Sequence, residues 1–196
     1  VGLTVVQVST IAAVYTWAFA IFQFFGGALL DRLGARKVLP ISIALVALGV
    51  FVFANAKSYE TLLISQVILA IGSCTGFVGA GYIGGAWFGM AKFSFMFGLV
   101  QMLAALTSAI LQNIFEFAVG QMDWRTLFNV FGGIGIGLLV LGSIYIRNPS
   151  PVVAQANPSG DGFFVSVLKG MVEVAKIPHV WMASISGALT ISVSEE

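Results

Sequence analysis

Long apolar stretches alternate with short charged clusters along this chain. Five stretches stand out, and Glu116 is the only charged residue within them; they occupy residues 4–30, 38–54, 61–89, 93–119 and 127–146. Crossing the hydrocarbon core of a bilayer takes about 20 apolar residues, with a range of about 17 to 25. The runs are continuous, whereas strands of a membrane barrel alternate apolar and polar residues. The pattern therefore predicts an all-α polytopic membrane protein, with five transmembrane helices in residues 1–146.

Composition supports this prediction. Of the 196 residues, 59% are hydrophobic and 9% are charged, and the mean hydropathy is +1.01. Soluble domains carry about 25% charged residues, so this chain has too few to cover a water-exposed surface. Five consecutive apolar helices buried in a soluble core would also leave no amphipathic helices to surround them. We expect an integral, multi-pass protein of the bacterial inner (cell) membrane, with the lipid bilayer as a partner.

The inventory of reactive side chains argues against several other functions. The net charge is +1, which provides no basic field for nucleic acid. Cys74 is the single cysteine and His179 the single histidine, so neither a disulfide nor a His/Cys metal cluster can form within the chain. We therefore expect no enzyme activity, no catalytic residues, no metal and no cofactor.

The basic residues predict an orientation. Seven of the nine lie in the first, third and fifth connections or beyond, and Lys57 and Arg125 lie in the second and fourth. Cytoplasmic loops carry the excess of Lys and Arg, so the odd-numbered connections should be cytoplasmic. Val1 is not a methionine and no basic segment precedes Arg32, from which we expect that the N-terminus is missing and that one span, or another odd number, precedes Val1.

After the fifth stretch the composition changes. Residues 147–178 read as a cytoplasmic linker, with three prolines between residues 148 and 160 and an amphipathic helix over 163–176. This helix is expected either to lie at the membrane surface or to act as a solvated connector. Residues 179–196 are apolar until the final glutamates, and we expect them to begin a further span.

One motif lies between the first two predicted spans. Matches occur at Gly27, Leu29, Asp31, Arg32, Gly34, Arg36 and Lys37. The segment resembles the signature loop of the major facilitator superfamily, G-x-L-x-D-R-x-G-R-[RK], with Ala35 in place of its usual arginine. Asp123-Trp124-Arg125 is similar to the Gly-Trp-Arg element that opens the family's sixth helix. The resemblance implies a partial major facilitator-like helix bundle, covering the second to sixth helices and the start of the seventh.

The resemblance also implies a cytoplasmic gate. Asp31 would interact with a helix end in the other half of the transporter when the gate is closed, and Arg32 and Arg36 would join the charge network that latches it. In this reading the gate motif comprises Gly27, Asp31, Arg32, Gly34, Arg36 and Lys37. The alternative is that the basic residues only fix the topology, and both roles are compatible.

Polar side chains within the spans are candidates for a transport path. They are Tyr15, Gln23, Gln66, Gln101, Ser108, Gln112 and Asn113. Gln101, Ser108 and Gln112 fall on one helical face, and such residues usually face a partner helix or an aqueous path. For each, a hydrogen bond between helices is an equal alternative. Gln66 stands where many family members have an arginine linked to proton coupling, so coupling through that position is doubtful.

The leading hypothesis is a secondary active transporter, such as a symporter, that moves a small polar metabolite by alternating access. An organic anion is weakly favoured, and H⁺ or Na⁺ is a candidate coupling ion. The alternative is a non-transporting membrane scaffold or a truncated, inactive relative. A membrane enzyme ranks third, because Glu116 alone cannot provide a catalytic cluster.

Overall fold

The computed structural model describes residues 3–146, 163–182 and 185, and the described residues contain helices and no strand. Six long helices follow one another as α1 (Val5–Leu33), α2 (Ala35–Ala54), α3 (Tyr59–Phe88), α4 (Met90–Val119), α5 (Trp124–Tyr145) and α6 (Phe163–Ala175). The first five are long and apolar enough to cross a membrane. The chain divides into two compact units, Val1–Ala156 and Asn157–Glu196. The all-α fold class is confirmed.

The helices run further than the apolar stretches. α1 continues through Asp31 and Arg32 to Leu33, and α4 begins at Met90, before Lys92. Charged side chains near a helix end can reach the aqueous interface while their backbone stays helical. As a result, one residue, Gly34, separates α1 from α2, and one residue, Gly89, separates α3 from α4. Both glycines lie at the same end of the antiparallel bundle, which we call the joint end; the end that carries Ala54 and Trp124 is the far end.

Side-chain caps explain where other helices begin. Thr4 and Gln7 form a capping box, in which Gln7 N donates to Thr4 Oγ1 at 3.3 Å and Thr4 N donates to Gln7 Oε1 at 2.9 Å. Ser58 accepts from Thr61 N at 3.2 Å before α3, and Asp123 accepts from Arg125 N at 3.2 Å before α5. These oxygens satisfy backbone N–H groups that have no partner within the helix.

Helix α3 is the centre of the first unit. It packs against α1, α2 and α4, whereas α5 packs mainly on α2 and touches α4 lightly. The approach of α2 to α3 is closest at Gly72, where an added Cβ would lie 2.8 Å from Val46 N and 2.9 Å from Ser42 O. Lipid tails give apolar helices little reason to associate, so such close backbone packing stabilises the bundle.

The second unit contains α6, whose start and end nearly coincide with the predicted helix over 163–176. Val167 is buried, while Val165, Leu168 and Val172 are exposed on a face that also carries Lys169 and Glu173 of the helix and Lys176, which follows its end. Trp181 Nε1 donates to Ala175 O at 2.8 Å and holds the segment after α6 against its end. Residues 178–182 are helical, and most of the further span expected over 179–196 lies outside the described residues.

Candidate gate and transport path

The gate motif is built around the α1–α2 joint. Gly27, Asp31 and Arg32 lie in the last turns of α1, and Arg36 and Lys37 lie in the first turn of α2. Gly34 ends α1 by donating its N–H to Leu30 O at 2.8 Å, and its own carbonyl accepts from Lys37 N at 3.3 Å. Its φ of 75° and ψ of 158° belong to a region that is essentially restricted to glycine.

The two faces of this joint differ sharply. Leu30 and Ala35 are fully buried, Val38 is 1% exposed, and the three pack against Val78 and Tyr82 of α3. The charged residues of the motif, in contrast, are all exposed: Asp31, Arg32, Arg36 and Lys37. An apolar anchor therefore fixes the joint to α3, while its charged residues lie at the surface.

The close approach of α1 to α3 occurs at Gly26 rather than at the motif residue Gly27. An added Cβ at Gly26 would lie 3.3 Å from both Cys74 O and the Thr75 methyl group, whereas one at Gly27 would lie 3.8 Å from Val78, an ordinary contact. Gly26 therefore faces the α3 backbone, although the gate motif contains Gly27 and not Gly26.

The candidate path residues fall into two groups. Tyr15 and Gln23 on α1 and Gln66 on α3 are partly buried, and α1 and α3 pack together. The α4 row, which consists of Gln101, Ser108, Gln112 and Asn113, is exposed. Helices α1 and α4 each contact α3, but within the described residues they do not contact one another. The structure therefore does not bring the α1 residues and the α4 row into one cluster.

Three of the four side chains of the α4 row have no hydrogen-bond partner among the described residues, although they lie within a span. Asn113 Nδ2 donates to Ala109 O at 2.8 Å, within its own helix. In the described part of the chain, no hydrogen bond involves the side chains of Gln101, Ser108 or Gln112. Amides left without partners in hydrocarbon are costly, so these groups call for water, a ligand or another helix.

A buried hydroxyl pair links α2 to α3, and sequence reasoning missed it. Thr75 Oγ1 donates to Ser42 Oγ, which in turn donates to Val38 O at 2.9 Å. Both side chains are buried. A serine within an otherwise apolar stretch was the available signal, but its partner could not be assigned without the register of the two helices.

The Asp-Trp-Arg element forms a polar clamp at the far end. The Arg125 guanidinium donates to Ala54 O at 2.9 Å and to Ala56 O at 3.0 Å, and it lies 4.6 Å from the centre of the Trp124 ring. The Trp124 ring packs on Phe53 of α2 with centroids 6.0 Å apart. Helices α2 and α5 are therefore tied together where α5 begins. The resemblance located this element but gave no role to its arginine.

Further contacts join α2 and α5 along their length. Asn55 Nδ2 donates to Asn129 Oδ1 at 3.1 Å near the clamp. Further along, an added Cβ at Gly132 would lie 2.8 Å from the Phe51 ring, and one at Gly135 would lie 3.0 Å from the Ala47 Cβ. Such small-residue contacts leave α2 and α5 little freedom to separate.

Across residues 3–146, 163–182 and 185, no group of three His, Cys, Asp or Glu side chains is placed to hold a metal ion. The site chemistry available in this part of the chain is therefore that of amides, hydroxyls and the charged gate motif.

Comparison with known proteins decides the family. The Major Facilitator Superfamily profile matches residues 1–194. The chain belongs to this superfamily. The resemblance to this superfamily that the gate motif indicated is confirmed. The helices form a partial major facilitator-like bundle.

Similar curated proteins are bacterial transporters. The chain is 25% identical over 147 residues to the probable sulfoacetate transporter SauU of Cupriavidus necator, covering 75% of this chain and 34% of that protein. It is 26% identical over 166 residues to the probable galactarate/D-glucarate transporter GudP of Bacillus subtilis, covering 79% and 36%. It is 27% identical over 157 residues to the probable galactarate/D-glucarate transporter GarP of Escherichia coli, covering 76% and 35%.

The chain spans about a third of the length of these relatives. Together with the five apolar helices, the family and its bacterial members support a multi-pass integral membrane protein of the bacterial inner membrane.

Proposed function

We propose that this chain is part of a secondary active transporter that carries a small organic anion across the bacterial inner membrane by alternating access. The observation that carries the proposal is that Gln101, Ser108 and Gln112 have no hydrogen-bond partner among the described residues, in a chain whose relatives are named for sulfoacetate and for galactarate and D-glucarate. These named substrates are all small organic anions. Transporters of this kind bind substrate near the membrane midplane, and the row lies in the middle and second half of α4.

The chemistry of the row suits such a substrate. Gln101 and Gln112 each offer two N–H donors and an acceptor, and Ser108 offers a hydroxyl. Carboxylate, sulfonate and hydroxyl oxygens accept hydrogen bonds from these groups. In the five described spans, Lys and Arg occur only near helix ends, so the middle of this bundle supplies neutral donors. Neutral donors can select oxygen-rich ligands without holding them too tightly to be released.

The gate motif supplies the proposed conformational control. A carboxylate such as Asp31 stabilises the positive end of a helix, and a contact of this kind can form in one state and break in the other. Because Leu30 and Val38 anchor the joint to α3, movement of the bundle would carry these charges with it. H⁺ and Na⁺ are the proposed coupling ions.

Uptake into proteoliposomes tests the function. We expect saturable uptake of D-glucarate or sulfoacetate, with no uptake of neutral glucose, and we expect a pH or Na⁺ gradient to accelerate it. Gln112→Leu should raise the half-saturation concentration about tenfold or more, because a hydrogen bond to a charged group contributes roughly 1.5–3 kcal/mol. Gln121→Leu is the matched control, since it removes the same amide from the loop outside the span.

Absence of saturable uptake for both anions would contradict the proposed substrate class. Equal half-saturation values for Gln112→Leu and Gln121→Leu would contradict the role of the α4 row.

A further inference from the structure

Two glycines join pairs of membrane helices with the same backbone geometry. Gly34 has φ 75° and ψ 158°, and Gly89 has φ 73° and ψ 163°. Each ends one helix by donating its N–H to the carbonyl four residues earlier, and each begins the next helix by accepting from the lysine three residues later, Lys37 or Lys92. The α3–α4 joint thus repeats the α1–α2 joint, although the gate motif lies only at the first.

Both joints depend on glycine for conformation. Backbones near these dihedral angles are essentially restricted to glycine, because a Cβ would clash with the adjacent carbonyl groups. An added Cβ at Gly89 would meet no heavy atom within 4 Å apart from those of its chain neighbours. The requirement for glycine at this position is therefore one of backbone geometry and not of packing.

The two joints differ in how deeply the residues around them are buried. Leu30, Ala35 and Val38 bury the flanks of Gly34 in an apolar cluster on α3. At the second joint, Gly89 itself is exposed and the Phe88 side chain is 49% exposed. Among the described side chains, an apolar cluster holds the first joint against the bundle, and no such cluster includes a residue next to the second.

Beyond Gly89, α4 is weakly attached. Near the joint, a Cβ added at Gly81 would lie 3.8 Å from the Phe93 ring, and one added at Gly84 would lie 3.9 Å from the Met96 Cβ. Both distances are ordinary contacts. At the far end, the Phe115 ring lies 5.9 Å from that of Phe128 on α5. All residues from 101 to 117 are exposed. In contrast, α2 packs so closely on α3 and α5 that Cβ atoms added at glycines between them would lie less than 3 Å from the facing helix.

We propose that Gly89 is a pivot about which α4, with its polar row, moves relative to α3, while Gly34 keeps α1 and α2 fixed to the bundle. Gly89 is thus a positioning residue that acts through the direction of α4. The proposal rests on the proposed function only for what triggers the movement, namely binding of an anion at the row.

Distances between spin labels at the far end measure this movement directly. The labels are attached through Ile64→Cys on α3 and Phe117→Cys on α4, both at exposed positions, with Cys74→Ser removing the native thiol. Phe117 lies roughly 40 Å from Gly89 at about 1.5 Å per residue, so a rotation of about 10° would shift it by about 7 Å. The protein is studied in lipid nanodiscs, without anion and with saturating D-glucarate or sulfoacetate.

We expect two distance populations several ångströms apart, whose ratio changes when either anion is added. Gly89→Ala should leave one population, because alanine cannot adopt the joint conformation. Gly98→Ala is the matched control on α4, since its added Cβ meets no atom within 4 Å, and it should retain both populations.

A single distance in the native sequence under all conditions would overturn the proposal, as would two unaltered populations in Gly89→Ala. Two populations that Gly89→Ala abolishes but neither anion shifts would support the pivot and count against the proposed substrates. If Gly89→Ala does not fold, Phe115→Ala provides the second test. Loss of its ring contact should favour the longer distance, and an unchanged ratio would count against the pivot.

Discussion

Arg125 of α5 donates from Nη1 to the carbonyl oxygen of Ala54, the last residue of α2, at 2.9 Å. The last carbonyls of a helix have no partner within it and carry partial negative charge, so a guanidinium is a favourable cap. Its second bond, from Nη2 to Ala56 O at 3.0 Å, extends the contact beyond the helix end. One side chain therefore ties the end of α2 to the start of α5.

Loss of this clamp should destabilise the bundle. Arg125→Ala removes two hydrogen bonds from a charged donor, and because the side chain is half-buried we expect a loss of about 2–3 kcal/mol in the free energy of unfolding. Arg125→Lys keeps the charge but lacks the planar fork, so we expect about 1–2 kcal/mol. Unfolding in detergent measures both. Lys57→Ala, an exposed basic residue near the same end, is the control and should change stability by less than about 0.5 kcal/mol.

The amide pair beside the clamp should behave as a coupled pair. Asn55 and Asn129 are hydrogen-bonded at 3.1 Å, so a double-mutant cycle with alanine at both positions should give a coupling energy of about 0.5–1.5 kcal/mol. A cycle between Asn55 and Ser143, which bonds Leu139 O near the other end of α5, should be additive. Additivity in the Asn55–Asn129 cycle would show that the contact does not join the helices.

Two glycines of α3 should respond very differently to alanine. Gly72→Ala would place a Cβ 2.8 Å from Val46 N, and because the obstacle is backbone, α2 and α3 must separate. We expect a loss of at least about 2 kcal/mol. A Cβ added at Gly76 would meet no atom of a neighbouring helix within 4 Å. Gly76→Ala should therefore be neutral or stabilising by up to about 1 kcal/mol. Similar losses at both positions would contradict the packing of α2 on α3.

The gate motif should affect transport more than stability. Asp31 is exposed at the end of α1, so Asp31→Asn should insert and fold normally. If its charge stabilises a helix end in the closed state, its loss should cost about 1 kcal/mol and reduce uptake several-fold. Glu60→Gln, an exposed acidic residue at the far end, is the control. Equal uptake in the two variants would leave Asp31 without a gating role.

The sequence predicted the helices because a bilayer imposes a length and an apolar composition that few other structures share. It placed the first connection between residues 30 and 38, but the helices continue through the charged segment until only Gly34 separates them. The role of Arg125 could not be predicted, because its partners are backbone carbonyls that any residue could provide. The Ser42–Thr75 bond and the close approach of Gly26 to α3 depend on helix rotation and register, which apolar stretches do not encode.

Exposure of the α4 row to water tests the central claim most directly. In a Cys74→Ser background, Gln112→Cys and Ile110→Cys are treated with a membrane-impermeant thiol reagent in intact cells and in inverted vesicles. Gln112 lies on the row, and Ile110 lies on the opposite face of α4.

We expect Gln112→Cys to react, D-glucarate or sulfoacetate to slow its reaction, and Ile110→Cys to remain unmodified in the lipid. Modification of Ile110→Cys alone, or no reaction at Gln112→Cys in either preparation, would contradict an aqueous substrate path along α4.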